Sequence, residues 1–131
     1  MPETLYDTRF LIEVYFAKEL KVKKRLKTEL EERKIRFVSA ITIYEVYRLS
    51  LKNEGRTVAK IRRATIERDF RIIDIDSSIA SQAAEIKAAQ GKDYPLADAL
   101  IAATAVLLKL ACFTDDPHIK QVPDVKTRWV S

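Results

Sequence analysis

The chain of 131 residues has one cysteine, one histidine, one tryptophan and two glycines, and each scarcity excludes a class of chemistry. With Cys112 alone there is no internal disulfide framework and no thiolate-rich zinc site. With His118 alone, a histidine-cluster metal site or a Ser-His-Asp triad can be drawn only around that residue. Gly55 and Gly91 leave no room for a Walker loop or a GxGxxG dinucleotide fingerprint. The longest apolar stretch, Leu96 to Leu108, spans 13 residues and contains Asp98, against roughly 20 apolar residues for a membrane helix. Met1 to Asp7 places no basic segment before an apolar run, so it does not read as a signal peptide, and a cytoplasmic location without membrane attachment is expected.

What is present is 47% hydrophobic and 33% charged, the composition of one soluble domain over residues 1–131 with material for a real core. The net charge of +5 is too modest for a protein that coats nucleic acid but suits one that meets phosphate. It is also uneven. Ala17 to Arg36 holds nine basic and four acidic residues, and Arg48 to Arg71 eight and three, which leaves the remainder at −5. Basic helices beside an acid-rich remainder suit a polyanion held by its phosphates while carboxylates, with metal, face the bond to be cut. The plainer alternative for each helix is a solvated face with i,i+4 partners.

Short β-favouring runs alternate with helix-patterned ones, the signature of an α/β fold with a parallel sheet covered by helices. Thr4 to Tyr6, Ile35 to Val38, Phe70 to Ile73 and Ala111 to Thr114 read as strands, with Val125 to Trp129 as a last edge strand. Helices are expected over Arg9 to Phe16 and Lys18 to Lys34, then from a cap at Ser39 or Thr42 through Leu51. Further helices run from Thr57 to Arg68 and from a cap at Asp76 or Ser77 through Gln90, where Gly91 ends the turn. Pro95 opens the most apolar helix, expected to be buried, and Pro117 and Pro123 signal turns.

Asp98 is the most informative residue, because eleven of the thirteen positions from Leu96 to Leu108 are apolar. An ionised carboxylate in such surroundings costs several kcal/mol unless it is paired, hydrogen-bonded or bound to a cation. Its place three residues past Pro95 also allows a dipole-stabilised helix start. Asp7 follows the first strand, Asp115 and Asp116 follow the strand from Ala111, and Glu45 lies one turn into a helix after the second strand. Strand carboxyl ends form the ligand crevice of open parallel sheets, so these acids should share one edge. Taken singly, each is most simply a turn or cap residue. Converging, they would repel one another strongly unless neutralised by a divalent cation. Mg2+ or Mn2+ suits an all-oxygen site that leaves positions open for phosphate, which points to metal-assisted phosphodiester hydrolysis.

These residues carry a family resemblance. Leu5-Tyr6-Asp7-Thr8, the run Val38 to Val46 around Glu45, Pro95-Leu96-Ala97-Asp98-Ala99-Leu100-Ile101-Ala102-Ala103-Thr104-Ala105, and Phe113-Thr114-Asp115-Asp116-Pro117-His118-Ile119 together resemble the PIN-domain nucleases. More narrowly, they resemble the VapC-type toxins of prokaryotic toxin-antitoxin pairs, over nearly the whole chain, with Pro95 to Ala105 the most specific stretch. The resemblance implies a three-layer α/β/α fold around a roughly five-stranded, mostly parallel sheet. It implies a Mg2+- or Mn2+-dependent endoribonuclease whose metal site is Asp7, Glu45, Asp98 and Asp116, with Thr114 as a helper and Asp115 the lesser candidate for the fourth acid. It further implies RNA as substrate, a cognate antitoxin as partner and a homodimer. Arg9 stands where the family usually carries Ser or Asn, and a cation there can contact substrate phosphate or repel the metal.

A rival reading is a catalytically silent PIN-like domain that binds RNA or protein, favoured by Arg9 and opposed by the four retained acids. His118 reads as a loop residue near the site, and Cys112 as inert packing in a buried strand. Tyr44, Tyr47 and Tyr94 read either as platforms for unpaired bases or as half-buried core or dimer residues, and Trp129 as packing. Leu11, Val14, Phe16 and Leu51 are the apolar positions expected to contribute to a dimer surface if exposed.

Overall fold

A computed structural model describes residues 3–16, 19–32 and 35–129. In chain order the elements are β1 (Thr4–Tyr6), α1 (Thr8–Phe16), α2 (Leu20–Glu32), β2 (Arg36–Ser39), α3 (Ala40–Glu54) and α4 (Arg56–Asp69). They continue with β3 (Arg71–Ile73), α5 (Ser77–Gln90), α6 (Leu96–Leu108), β4 (Ala111–Phe113), α7 (Pro117–Lys120) and β5 (Thr127–Arg128). The five strands form one sheet in the order β3-β2-β1-β4-β5, and every pairing is parallel. The expected α/β architecture is therefore present, with a sheet that is wholly rather than mostly parallel. Lys18 and Lys34, the expected ends of the second helix, lie outside the described residues.

Strand side chains alternate between the two faces of the sheet and so divide the core in two. Tyr6, Val38 and Phe113 point to one side, where Phe10 and Leu11 of α1, Leu26 of α2, Val46 of α3 and Ile66 of α4 cover them. Leu5 and Cys112, one residue earlier in each register, point to the other side and meet Ile101 and Ala105 of α6 and Ile119 of α7. Small residues let α6 lie close to the sheet, and all seven residues from Ala99 to Ala105 are buried. The helix is not buried throughout as expected: Leu96 at its start and Leu107 and Leu108 at its end are exposed.

Caps set several boundaries. Ser39 Oγ accepts the Ile41 N–H and Asp76 Oδ1 accepts the Ile79 N–H, which decides both open choices of cap. Gly55, at φ 91°, links α3 directly to α4, so α3 runs three residues past the expected stop at Leu51. The edge strand β5 is limited to Thr127–Arg128, the residues that find partners on the three-residue β4. Its Arg128 forks onto buried Glu29 of α2 at 2.8 and 2.6 Å, and Tyr6 donates to the same carboxylate at 2.7 Å. Trp129 packs on Phe113 at 4.9 Å between ring centroids, as expected of a packing residue. Among the described residues no helix is long and apolar enough to cross a membrane.

Candidate metal centre at the carboxyl edge of the sheet

The strand order reverses at β1, which has β2 on one side and β4 on the other, so the carboxyl ends of β1 and β4 flank the switch point where a ligand crevice opens. Asp7 leaves β1 there, buried at 3% exposure, with its N–H donated to the Phe113 carbonyl at 3.2 Å. Thr114 Oγ1 donates to Asp7 Oδ2 at 2.6 Å and accepts the Asp116 N–H at 2.9 Å, so one hydroxyl fixes both acids. Asp98 stands in the first turn of α6, its side chain 13% exposed. Glu45 reaches in from α3, held by Thr8 Oγ1 at 2.6 Å, and Thr8 is itself linked to Thr42 at 2.9 Å.

The electrostatics show four acids with too little positive charge among them. Burial, then the charges of Asp116 and Glu45, push Asp7 from 3.8 up to about 6 despite the opposing Thr114 hydrogen bond. Burial, then Asp116 and Asp7, push Asp98 up to about 7, against a lowering by His118 and with a smaller contribution from Glu45. Such a group of carboxylates is the donor chemistry of a divalent cation, which would relieve the burial cost and the repulsion together.

The two candidates for the fourth acid differ in local geometry. Asp116 caps α7 through its Oδ1, which accepts the His118 N–H at 2.9 Å, while Asp115 turns the other way toward Arg9. Arg9 Nε lies 3.4 Å from Asp115 and 3.8 Å from Glu13. Asp115 Oδ1 is shut from solvent without a hydrogen bond, so the guanidinium charge is its compensation among the described residues.

His118 differs from its expectation as a loop residue. It lies on the single-turn helix α7 with Nδ1 3.1 Å from Asp116 Oδ1 and 3.3 Å from Asp98 Oδ2. Tyr94 is buried, so it is no base platform; its hydroxyl donates to the His118 carbonyl at 2.5 Å and its ring meets the imidazole edge-on at 5.6 Å. Burial, then the charges of Asp98, Asp116 and Asp7, push Tyr94 up to about 12, which keeps it a donor. Tyr44 and Tyr47 instead line a separate groove of about 540 Å³ with Ile43, Leu51 and Ile72. Thr8 and Thr42 were not expected as supports of the site, and Tyr94, expected as a base platform or a half-buried residue, instead supports His118; the one sequence signal for the threonines was Thr8 directly after Asp7.

The chain matches the family model described as PIN domain over residues 4–125, and it belongs to that family. No curated protein matches it. Among solved structures, VapBC2 from Rickettsia felis bound to a promoter DNA fragment superposes with a TM-score of 0.79 at 14% identity, covering 98% of this chain and 99% of that one. FitAcB from Neisseria gonorrhoeae gives a TM-score of 0.72 at 26% identity, covering 95% of each chain. Mycobacterium tuberculosis VapC20, described as a sarcin-ricin loop cleaving toxin, gives 0.77 at 19% identity, covering 95% of this chain and 98% of that one.

Proposed function

We propose that this chain is a cytoplasmic, Mg2+- or Mn2+-dependent endoribonuclease, a single PIN-like domain over residues 1–131 acting as the toxin of a toxin-antitoxin pair. The observation that carries the reading is geometric: Thr114 ties buried Asp7 to Asp116, whose carboxylate lies within 4.8 Å of that of Asp98, and burial with the mutual charge raises Asp7 to about 6 and Asp98 to about 7. Asp7, Asp98 and Asp116 would hold the cation, directly or through water, with Glu45 completing the set. When bound, such an ion lowers the pKa of a bound water and stabilises charge on the phosphoryl oxygens. Thr114 keeps Asp7 and Asp116 in register, and Thr8 aims Glu45. Arg9, 53% exposed beside Asp115, would contact an incoming phosphate.

RNA as substrate is supported by the activity named for VapC20, and an antitoxin partner by the similarity, at 26% identity and a TM-score of 0.67, to a structure described as a toxin-antitoxin complex from Klebsiella pneumoniae. A homodimer would use the exposed Tyr44 and Leu51; Leu11, expected as a contributor, is buried under the sheet, and Val14 and Phe16 are half-buried. The test is cleavage of a mixed-sequence RNA with Mn2+, beside EDTA and Asp98→Asn controls. Cleavage lost in both controls is the expected result. Wild type and Asp98→Asn equally inert, both still binding RNA, would instead establish the silent binding domain that Arg9 favours.

A further inference from the structure

His118 is the one nitrogen donor among the oxygens of this site, and its placement is specific. Two ligands at right angles on an ion with bonds of about 2.1 Å lie about 3 Å apart. Nδ1 stands 3.1 Å from Asp116 Oδ1 and 3.3 Å from Asp98 Oδ2, and the three ligand atoms lie within 4.8 Å of one another. The backbone of His118 is fixed by the Asp116 cap on its N–H and by the Tyr94 hydroxyl on its carbonyl, and the imidazole, 46% exposed, packs edge-on against the Tyr94 ring.

We propose that His118 Nδ1 ligates the cation together with Asp98 and Asp116, which makes the site prefer Mn2+ to Mg2+. The proposal rests on the metal-dependent reading above and sharpens it. Mg2+ favours an octahedron of hard oxygens and waters, whereas a neutral imidazole suits the transition metals better, so one nitrogen shifts the preference without excluding Mg2+. The same two distances would also fit an imidazole that merely bridges two carboxylates, and removing the ring separates the cases: a ligand is missed by the metal, whereas a bridge competes with it.

The experiment titrates Mn2+ and Mg2+ separately into tag-free wild type, His118→Ala, His118→Gln and Asp98→Asn by calorimetry at one near-neutral pH. Pulsed EPR of the Mn2+-loaded protein is recorded in parallel. Because the chain has a single histidine, imidazole nitrogen coupling to bound Mn2+ can come only from His118. The expected result is nitrogen coupling in wild type, its loss in both His118 variants, and Mn2+ affinity down about tenfold or more. Mg2+ affinity should fall less. Wild type that binds Mn2+ without nitrogen coupling, or variants that bind Mn2+ as tightly as wild type or more tightly, would overturn the ligand role and leave the metal site standing. Wild type that binds neither ion would remove the metal-dependent reading itself, and the ligand role with it. If both His118 variants fail to fold, the wild-type spectrum alone decides.

Discussion

Asp7 and Asp98 hold their protons more tightly in the fold than in the unfolded chain, and the sign of that difference fixes how stability answers to pH. Both are raised from 3.8, to about 6 and about 7. The stability this gives is complete below the ordinary carboxylate range and is lost as pH rises through 6 and 7. Asp69 works in the opposite sense, since its hydrogen bond to Arg68 holds it below 3.8, but its contribution is lost only under more acid conditions. In EDTA, Tm should therefore fall between about pH 5 and pH 7, and Asp98→Asn should flatten the upper part of that fall. Millimolar Mn2+ should restore Tm in wild type and not in the variant. Thermal melts across the range check this, and a wild-type Tm that climbs toward neutrality in EDTA would contradict it. The acids themselves were legible in sequence because each interrupts or follows an apolar run. The pairing of Arg9 with Asp115 was not, because it joins residues on separate elements that only the parallel alignment of β1 and β4 brings together.

Where an element ends is decided by one or two residues, and α6 ends on Lys109 with φ 55°, a left-handed conformation that a side chain strains. Lys109→Gly should relieve that strain and stabilise the protein by about 0.5–1 kcal/mol net of glycine's chain entropy. A rise in the urea midpoint at constant m-value would show it, and a fall would show that Lys109 contributes something its backbone does not reveal. The basic helices α2 and α4 cover the same face of the sheet. Reversing charge at exposed Lys24 and Lys27, or at Lys60, should weaken RNA binding and flatten its salt dependence, as filter binding across salt concentrations would measure. Unchanged binding and slope would mean that those faces are merely solvated. Capped and periodic helices could be read from the chain because Ser39, Asp76 and Gly91 punctuate it. The four-residue α7 could not, since a single turn has no periodicity, and without that turn His118 looked like part of a loop.

At the scale of the molecule, the sheet is thin and its core divided, so burial depends on β1 and β4 staying paired. Cys112 sits at 0% exposure in β4 opposite Leu5, and burial pushes its thiol well up. Its reaction with a thiol reagent should therefore follow global unfolding, with a labelling rate that tracks denaturant as the unfolding equilibrium does. Rapid labelling in native buffer would show that β4 opens locally. Strand order could be anticipated only as far as alternating elements allow; the wholly parallel arrangement and the shortness of β5 follow from which residues find partners. The hydroxyl of Thr114 reaches back across 107 positions to Asp7, and this contact has a consequence for biosynthesis. A nascent chain released before Thr114 would carry Asp7, Glu45 and Asp98 and still lack both the donor that fixes Asp7 and Asp116 itself. On the proposed reading a chain cut short of Asp116 should show no metal-dependent cleavage, and any action of the crevice on RNA would begin only after the message encoding it has been read through that residue.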